Sequence, residues 1–266
     1  MHKNYKIMLS VPCAYGFESP SVRNWTTLTT IDMMRDPRFT LLDGGGLELH
    51  TPQVHRIHCA RNTSARQALE SNCDFLLMCD PDMQPDARLF NDRLPADRQP
   101  EAREWAKPFV FSSLDFMLST CSAIVAAPAV GAPPENKINV WPARDGGELK
   151  RMSHQEMAEI EPGFQRVAAV GTGLMLVDCN LFRNMPQPWF EDAYQPDQVD
   201  PETGAVIRDP QFDVTRSQDT NFCIKADAMR ARTYVNHFAP AGHIKPKSWL
   251  PPACKDLGHA PSPAHA

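Results

Sequence analysis

The segment FLLMCDPDMQPD, residues 75–86, places two carboxylates, Asp80 and Asp82, directly after five apolar residues. Two carboxylates that close repel each other unless a cation or a proton lies between them. Their oxygens suit hard divalent ions such as Mn2+ or Mg2+, which also take phosphate oxygens. An ion bridging the pair to a diphosphate would act as a Lewis acid on a departing nucleoside diphosphate. The plain alternative is a strand-end turn, with aspartate capping and proline turning. Position favours chemistry, because ligands of open α/β sheets sit beyond the carboxyl ends of the strands. Three other patterns fail on spacing. His55 and His58 share a metal-binding face only on a helix, and their segment reads as extended. Gly171-Thr-Gly173 has Leu176 where a dinucleotide loop needs its third glycine. Asp43-Gly-Gly-Gly46 lacks the Lys-Ser/Thr of a phosphate loop.

An acidic pair of this kind has to be held by strands and helices. Residues 6–11 read as a buried strand, and Ser19-Pro20 as a helix start with serine as the cap. Val22, Trp25, Leu28, Ile31 and Met34 then form an apolar stripe at three-residue spacing. Residues 39–42 and 54–60 suggest two further strands, with a helix over about 62–71. Residues 75–79 form a strand covered on both faces. Residues 109–120 read as helix and 123–130 as strand. Residues 167–177 read as a strand interrupted at Gly171-Thr-Gly173. A helix over 219–230 and a strand over 233–238 close the pattern. Alternation of this kind implies βαβ units and a mostly parallel sheet. Residues 91–108 and 131–166, rich in charge and proline, read as insertions into one domain over 1–250, and 251–266 as a flexible tail.

Four blocks, in order, resemble the GT-A-fold glycosyltransferases, especially those grouped with family 2. They are ARNTSARQALESNCDFLLMCDPDMQPD (60–86), VAAVGTGLMLVDCNLFRNMPQPWF (167–190), TRSQDTNFCIKA (215–226) and AGHIK (241–245). The resemblance implies a GT-A-like, Rossmann-like α/β domain whose mostly parallel central sheet is flanked by helices. It implies a metal-dependent transfer from a nucleoside-diphosphate sugar, UDP-sugar favoured, to an acceptor hydroxyl with inversion. Asp80 and Asp82 would hold Mn2+ or Mg2+ and the donor diphosphate, with His243 as the third metal ligand. Arg61 would sit near the nucleotide or its phosphates. The loop from Pro12 to Gly16, with Tyr15, would cradle the base, and Asp219 would be the general base. The family commonly has Glu-Asp where this chain has Gln218-Asp219, so one charge is lost and the base is kept.

These roles compete with plainer ones. Asp219 also suits a helix start, where a negative charge complements the dipole. Gly171 and Gly173 serve either a backbone approach to the sugar or close packing. Trp189 reads as an aromatic wall for the acceptor or as core. An aspartate phosphohydrolase would need its acidic motif near the N-terminus and a downstream lysine. A sugar-nucleotide pyrophosphorylase would want a basic loop after the first strand. The non-catalytic rival is a sugar-nucleotide-binding module.

Composition narrows the partners. The chain has 266 residues, 42% hydrophobic and 22% charged, enough for a core. Its net charge of −5 argues against general nucleic-acid binding. No run approaches a membrane span, and the opening MHKNYKIMLSVP reads as a strand rather than a signal peptide. Eight cysteines without a C-x-x-C read as small buried thiols of a reducing cytoplasm. The acceptor is a saccharide or, as in some phage enzymes, a hydroxymethylated DNA base. DNA would need gripping cations and a wedge, which Trp105 in the 91–108 insertion and Lys245, Lys247 and Trp249 could supply.

Overall fold

The computed structural model describes residues 4–13, 19–40, 44–54, 56–89, 103–130, 137–143, 149–194, 198–199, 203, 206–207 and 214–244. The first half runs β1 (Lys6–Ser10), α1 (Pro20–Arg35), β2 (Gly46–His50), α2 (Ile57–Glu70), β3 (Phe75–Cys79), β4 (Met83–Gln84), α3 (Phe109–Thr120) and β5 (Ile124–Ala126). Then come β6 (Val140–Pro142), α4 (His154–Ala158), β7 (Phe164–Val170), β8 (Leu174–Asp178) and α5 (Cys179–Asn184). Short strands β9 (Ala193–Tyr194), β10 (Gln198–Val199), β11 (Val206–Ile207) and β12 (Val214–Arg216) lead into α6 (Gln218–Ala228), β13 (Thr233–Asn236) and β14 (Gly242–His243).

The central sheet has eight strands in the order β2-β1-β3-β8-β5-β13-β7-β6. Following the pairings across it, only β8 and β7 run against the other strands. The expected mostly parallel sheet is therefore present, with two reversed strands that apolar runs alone do not betray. Period-two alternation splits its side chains between two cores. Met8, Leu76, Met78 and Val177 pack with Ala65, Ala68, Phe182 and Phe222 from α2, α5 and α6. Ile7, Leu9, Phe75 and Leu77 pack with Val22, Trp25, Leu114 and Met117 from α1 and α3. β3 lies between these layers, so all five of its residues are buried.

Several expectations hold to the residue. Ser19 caps α1 by accepting a hydrogen bond from the Val22 N–H at 3.2 Å, with Pro20 in the first turn. Strand 75–79 and helix 109–120 have the expected bounds. Others need correction. In α1 the buried residues are Val22, Trp25, Thr29 and Met33, whereas Ile31 and Met34 are exposed. Strict three-residue spacing drifts about 60° per step around a helix of 3.6 residues per turn. Residues 37–39 form a 3-10 turn, not a strand, and β2 starts later, at Gly46. Residues 57–60 belong to α2, because the apolar face that Ala65 and Ala68 continue already begins at Ala60. His58 is thus helical, and His55 lies outside the described residues. The 131–166 stretch is more than an insertion, since it supplies the sheet's edge strand β6, helix α4 and the first residues of β7. β7 and β8 are not one interrupted strand: β13 and β5 lie between them. The expected 251–266 tail, Cys254 and most of the 91–108 insertion lie outside the described residues. Five of the seven described cysteines are buried; Cys59 is half-buried and Cys121 exposed. Among the described residues, no helix is long and apolar enough to cross a membrane.

Candidate active site

The chain leaves β3 at Asp80, enters β8 after Gly173 and starts α6 beside Asp219, and these three points meet. The Asp80 N–H donates to the Gly173 carbonyl at 2.7 Å, joining the first two. Arg61, on α2 and 4% exposed, joins the third. One guanidinium nitrogen, Nη2, donates to both Asp80 carboxylate oxygens at 3.0 and 2.8 Å. The other, Nη1, donates to Asp219 Oδ1 at 2.8 Å. Thr172 Oγ1 donates to the same Asp219 oxygen at 2.9 Å. Burial pushes the Asp80 carboxyl above its ordinary range; Arg61 opposes that, and Asp219 and Asp82 add to it. Burial alone would lower the Arg61 guanidinium, but the charges of Asp80 and Asp219 hold it above its ordinary value. Arg61 thus holds two carboxylates, Asp80 and Asp219, and lies within electrostatic range of a third, Asp82.

A two-stranded ladder fixes the remaining pair. β14 lies antiparallel to β4 with His243 opposite Met83, and the Ile244 N–H donates to the Asp82 carbonyl at 2.6 Å. This register brings His243 Nε2 to 3.1 Å from Asp82 Oδ2. On the far side of the ring, Nδ1 donates to the Val130 carbonyl at 2.9 Å. In the neutral ring Nε2 then carries a lone pair, aimed at a carboxylate oxygen. Two such atoms need positive charge between them, from a ring proton or a metal ion. An imidazole oriented through Nδ1–H to a carbonyl is a usual arrangement for a metal-binding histidine. The donor set, one imidazole and carboxylate oxygens, fits Mn2+ or Mg2+. Asp80 does not complete it here, because both its oxygens face Arg61. Among the described residues no three His, Cys, Asp or Glu side chains converge on one point.

A cavity of about 540 Å³ opens over this arrangement. Asp80, Thr172, Asp219 and His243 line it, together with Trp141 and Arg151. Gly171 and Gly173 also line it, and packing explains both. A Cβ at Gly171 would lie 2.9 Å from Asn139 Cβ, and one at Gly173 2.9 Å from Met83 Sδ. A second cavity, about 140 Å³, lies at the ends of β1 and β2, lined by Val11, Cys13, Thr26 and His50 among others. His50 Nε2 and Thr26 Oγ1 are buried there without hydrogen-bond partners among the described residues. Pro12 is buried beside it; Tyr15 lies outside the described residues.

Other expected site residues fall elsewhere. Arg61 does not face open phosphate-binding space, since its Nη atoms are spent on Asp80 and Asp219. Trp189 is core rather than an acceptor wall. It is 2% exposed, and its indole N–H donates to the Phe182 and Met185 carbonyls. Trp105 packs against the α2–α5–α6 core and is not a cavity-lining residue. Lys107 lies over the Phe238 ring at 4.2 Å. Lys245, Lys247 and Trp249 lie outside the described residues. Sequence reasoning missed Asn139, Trp141 and Arg151. The apolar residues of Ile138-Asn-Val-Trp141 all join the core, and β6 begins only at Val140, so alternation gave no clear signal here.

No family model and no curated protein matches this chain. Among solved structures, A197 from STIV is 14% identical, with a TM-score of 0.49, covering 93% of this chain and 90% of that one. GalNAc-T7 with UDP, GalNAc and Mn2+ is 11% identical, with a TM-score of 0.45; 92% of this chain is covered but 45% of that one. A glycosyltransferase involved in glycosylating the major capsid of PBCV-1 is 12% identical, with a TM-score of 0.27 and coverage of 69% and 68%. The chain's own fold is a Rossmann-like, mostly parallel sheet covered on both faces, with the acidic pair at the end of a central strand.

Proposed function

We propose that this chain is a metal-dependent glycosyltransferase. It moves a sugar from a nucleoside-diphosphate donor, UDP-sugar favoured, to an acceptor hydroxyl with inversion. The observation that carries the reading is the Arg61 bridge. It ties a strand-end acid, Asp80, to a helix-start acid, Asp219, across one cavity whose lining also includes His243, the partner of Asp82. A module that only binds sugar nucleotides has no need of a carboxylate held at the cavity by both an arginine and a threonine.

Asp82 and His243, with Asp80 beside them, are the residues that would hold Mn2+ or Mg2+, and such an ion supplies positive charge against the diphosphate leaving group. Asp219 accepts the acceptor's hydroxyl proton as that oxygen attacks the anomeric carbon. The bond from that carbon to the diphosphate oxygen breaks, and the diphosphate leaves with the electron pair. Arg61 and Thr172 keep the Asp219 carboxylate turned toward the cavity throughout. The nucleoside end lies toward the ends of β1 and β2, beside Pro12. Strands spaced 4.8 Å apart put the end of β2 roughly 10 Å from Asp80, a nucleoside's length from the diphosphate. The seven described cysteines are free thiols, which suits a reducing cytoplasm. The acceptor is a saccharide or a hydroxymethylated DNA base.

The test is release of nucleoside diphosphate from a panel of sugar nucleotides with Mn2+, with Mg2+ and in EDTA. Release should require the ion. Asp219→Asn should bind UDP as before and turn over slower by about 10² to 10⁴. Full release in EDTA overturns the metal assignment. An unchanged rate in Asp219→Asn makes that residue a helix-start charge. A product with the donor's anomeric configuration makes the enzyme retaining.

A further inference from the structure

The loop Gly171-Thr172-Gly173 lines the cavity, and its two ends are tied to different things. The Gly173 carbonyl accepts from the Asp80 N–H at 2.7 Å, and the Gly171 N–H donates to the Asn139 carbonyl at 2.8 Å. Thr172, between them, holds Asp219 through Oγ1 at 2.9 Å. Two peptide units separate the glycines, so the loop carries the cavity at most about 7 Å from its acidic end to Asn139. Sheet order points the same way. β1 and β2 lie on one side of β3, and β6, which follows Asn139, is the edge strand on the other. Asn139 therefore stands on the side of Asp219 away from the proposed nucleoside and diphosphate positions, where an acceptor approaches.

The backbone of Asn139 is fastened from both sides. Its N–H donates to the Ala129 carbonyl at 2.8 Å, and its carbonyl is taken by Gly171. The half-buried carboxamide lines the cavity and makes no hydrogen bond among the described residues. Gly171 keeps the space for it, since a Cβ there would lie 2.9 Å from Asn139 Cβ and 3.6 Å from Nδ2. Trp141 lines the cavity too, and its indole N–H makes no hydrogen bond among the described residues. The Arg151 guanidinium carbon, 5.2 Å from the centre of the Trp141 ring, steadies that ring.

A carboxamide offers one acceptor oxygen and two N–H donors without net charge. Neighbouring sugar hydroxyls, each able to donate and accept, complement it. The charges nearby disfavour a nucleic acid. Asp80 and Asp219 line the same cavity, and Arg151 is the only lysine or arginine among its described lining residues, whereas a DNA backbone is gripped by several cations. We propose that Asn139, assisted by Trp141, binds the acceptor, and that the acceptor is a neutral saccharide. Adjacent hydroxyls of its ring meet the carboxamide while a further hydroxyl reaches Asp219. This rests on the glycosyltransfer reading of the same cavity and selects between its two acceptors.

The experiment uses the full chain as Asp219→Asn with Mn2+, so that a bound donor survives the titration. Calorimetry first finds which of UDP-glucose, UDP-galactose and UDP-N-acetylglucosamine binds most tightly. Glucose, galactose, mannose and N-acetylglucosamine are then titrated onto the donor-loaded protein, with hydroxymethyldeoxycytidine as a parallel arm, and binding is read by ligand-observed NMR. At least one of the sugars should bind, and the nucleoside should not. Adding Asn139→Ala should weaken that sugar by about tenfold, the scale of two neutral hydrogen bonds. Sugar-nucleotide affinity should stay within about twofold. Trp141→Phe keeps a ring under Arg151 and removes the N–H, so it should weaken the sugar by about threefold. Thermal melts confirm that both variants fold. If no sugar nucleotide binds, the glycosyltransfer reading fails and this proposal fails with it. A donor that binds while none of the four sugars does overturns the proposal alone. So does binding of the nucleoside in their place, which marks a modified base as the acceptor. Unchanged sugar affinity in Asn139→Ala also overturns it, as does a loss of sugar-nucleotide affinity there, which would assign Asn139 to the donor.

Discussion

Arg61 illustrates how one residue can be legible in kind and hidden in role. Its place in the Ala-Arg-Asn block marks it as a site residue. Its partners are Asp80, 19 residues away, and Asp219, 158 away. With its side chain 5% exposed, it holds two carboxylates at the cavity floor. Removing one partner of a buried charge group strands the others. Arg61→Met should therefore lower stability by about 3–5 kcal/mol in urea unfolding, far more than an exposed arginine would. Arg61→Lys should fall between, since one ammonium cannot reach both acids as a fork does. A cost below about 1 kcal/mol for Arg61→Met would mean that the carboxylates find another counter-charge. Asp82 and His243 follow the same rule: each is readable as a candidate ligand, and only the β4–β14 register pairs them.

At the scale of elements, the loop between β7 and β8 is the tightest joint of the site. Gly171 and Gly173 flank Thr172, which orients Asp219, and both lack room for a side chain for different reasons. The atom facing Gly171 is Asn139 Cβ, next to the backbone of β6, which cannot retreat without moving the strand. The atom facing Gly173 is Met83 Sδ, the far part of a flexible chain. Gly171→Ala should cost about 1–3 kcal/mol in thermal or chemical unfolding, the usual penalty of overpacking, and should slow turnover by displacing Thr172. Gly173→Ala should cost clearly less. Equal costs would show that β6 yields as easily as a methionine. The spacing G-x-G predicts a special backbone here, but the two obstacles come from residues 32 and 90 positions away in sequence.

At the scale of the whole molecule, two buried titratable groups that do not line the cavity, Asp86 and His237, shape its response to pH. Asp86, 3% exposed, accepts hydrogen bonds from Trp25 Nε1 at 2.7 Å and the Phe109 N–H at 2.8 Å, linking α1 to the start of α3. Burial lifts its carboxyl from the ordinary 3.8 to about 6, against the pull of those two bonds. The folded form then binds this proton more tightly than the unfolded chain. The contribution is full below pH 3.8 and is lost as pH rises through about 6. His237 works the other way: burial holds it down to about 4 from 6.5, so its contribution is full above 6.5 and lost as pH falls toward 4. Asp86→Asn removes the first slope alone. The wild type's stability margin over this variant should shrink between pH 4 and 7 by up to about 3 kcal/mol, read from urea midpoints. A margin flat with pH would show that Asp86 titrates as it does in the unfolded chain.

What the sequence determined is what short range can encode. Five consecutive apolar residues before Asp80 require a strand covered on both faces, and Ser19-Pro20 requires a helix start, because burial and capping act within a few residues. The chemistry of single residues is equally local, so Asp80, Asp82, Asp219 and His243 could be named as candidates. The strand expected at 54–60 went astray for one reason. A short apolar run fits helix or strand equally well until a neighbouring surface selects one. Tertiary structure alone decided that β7 and β8 run against the sheet, that Trp189 is core, and that Arg61 pairs with both Asp80 and Asp219. It also decided that Trp141 and Arg151 from the edge of the sheet complete the cavity. Those outcomes depend on contacts between residues tens to more than a hundred positions apart, and such contacts exist only once the two cores have closed on the sheet.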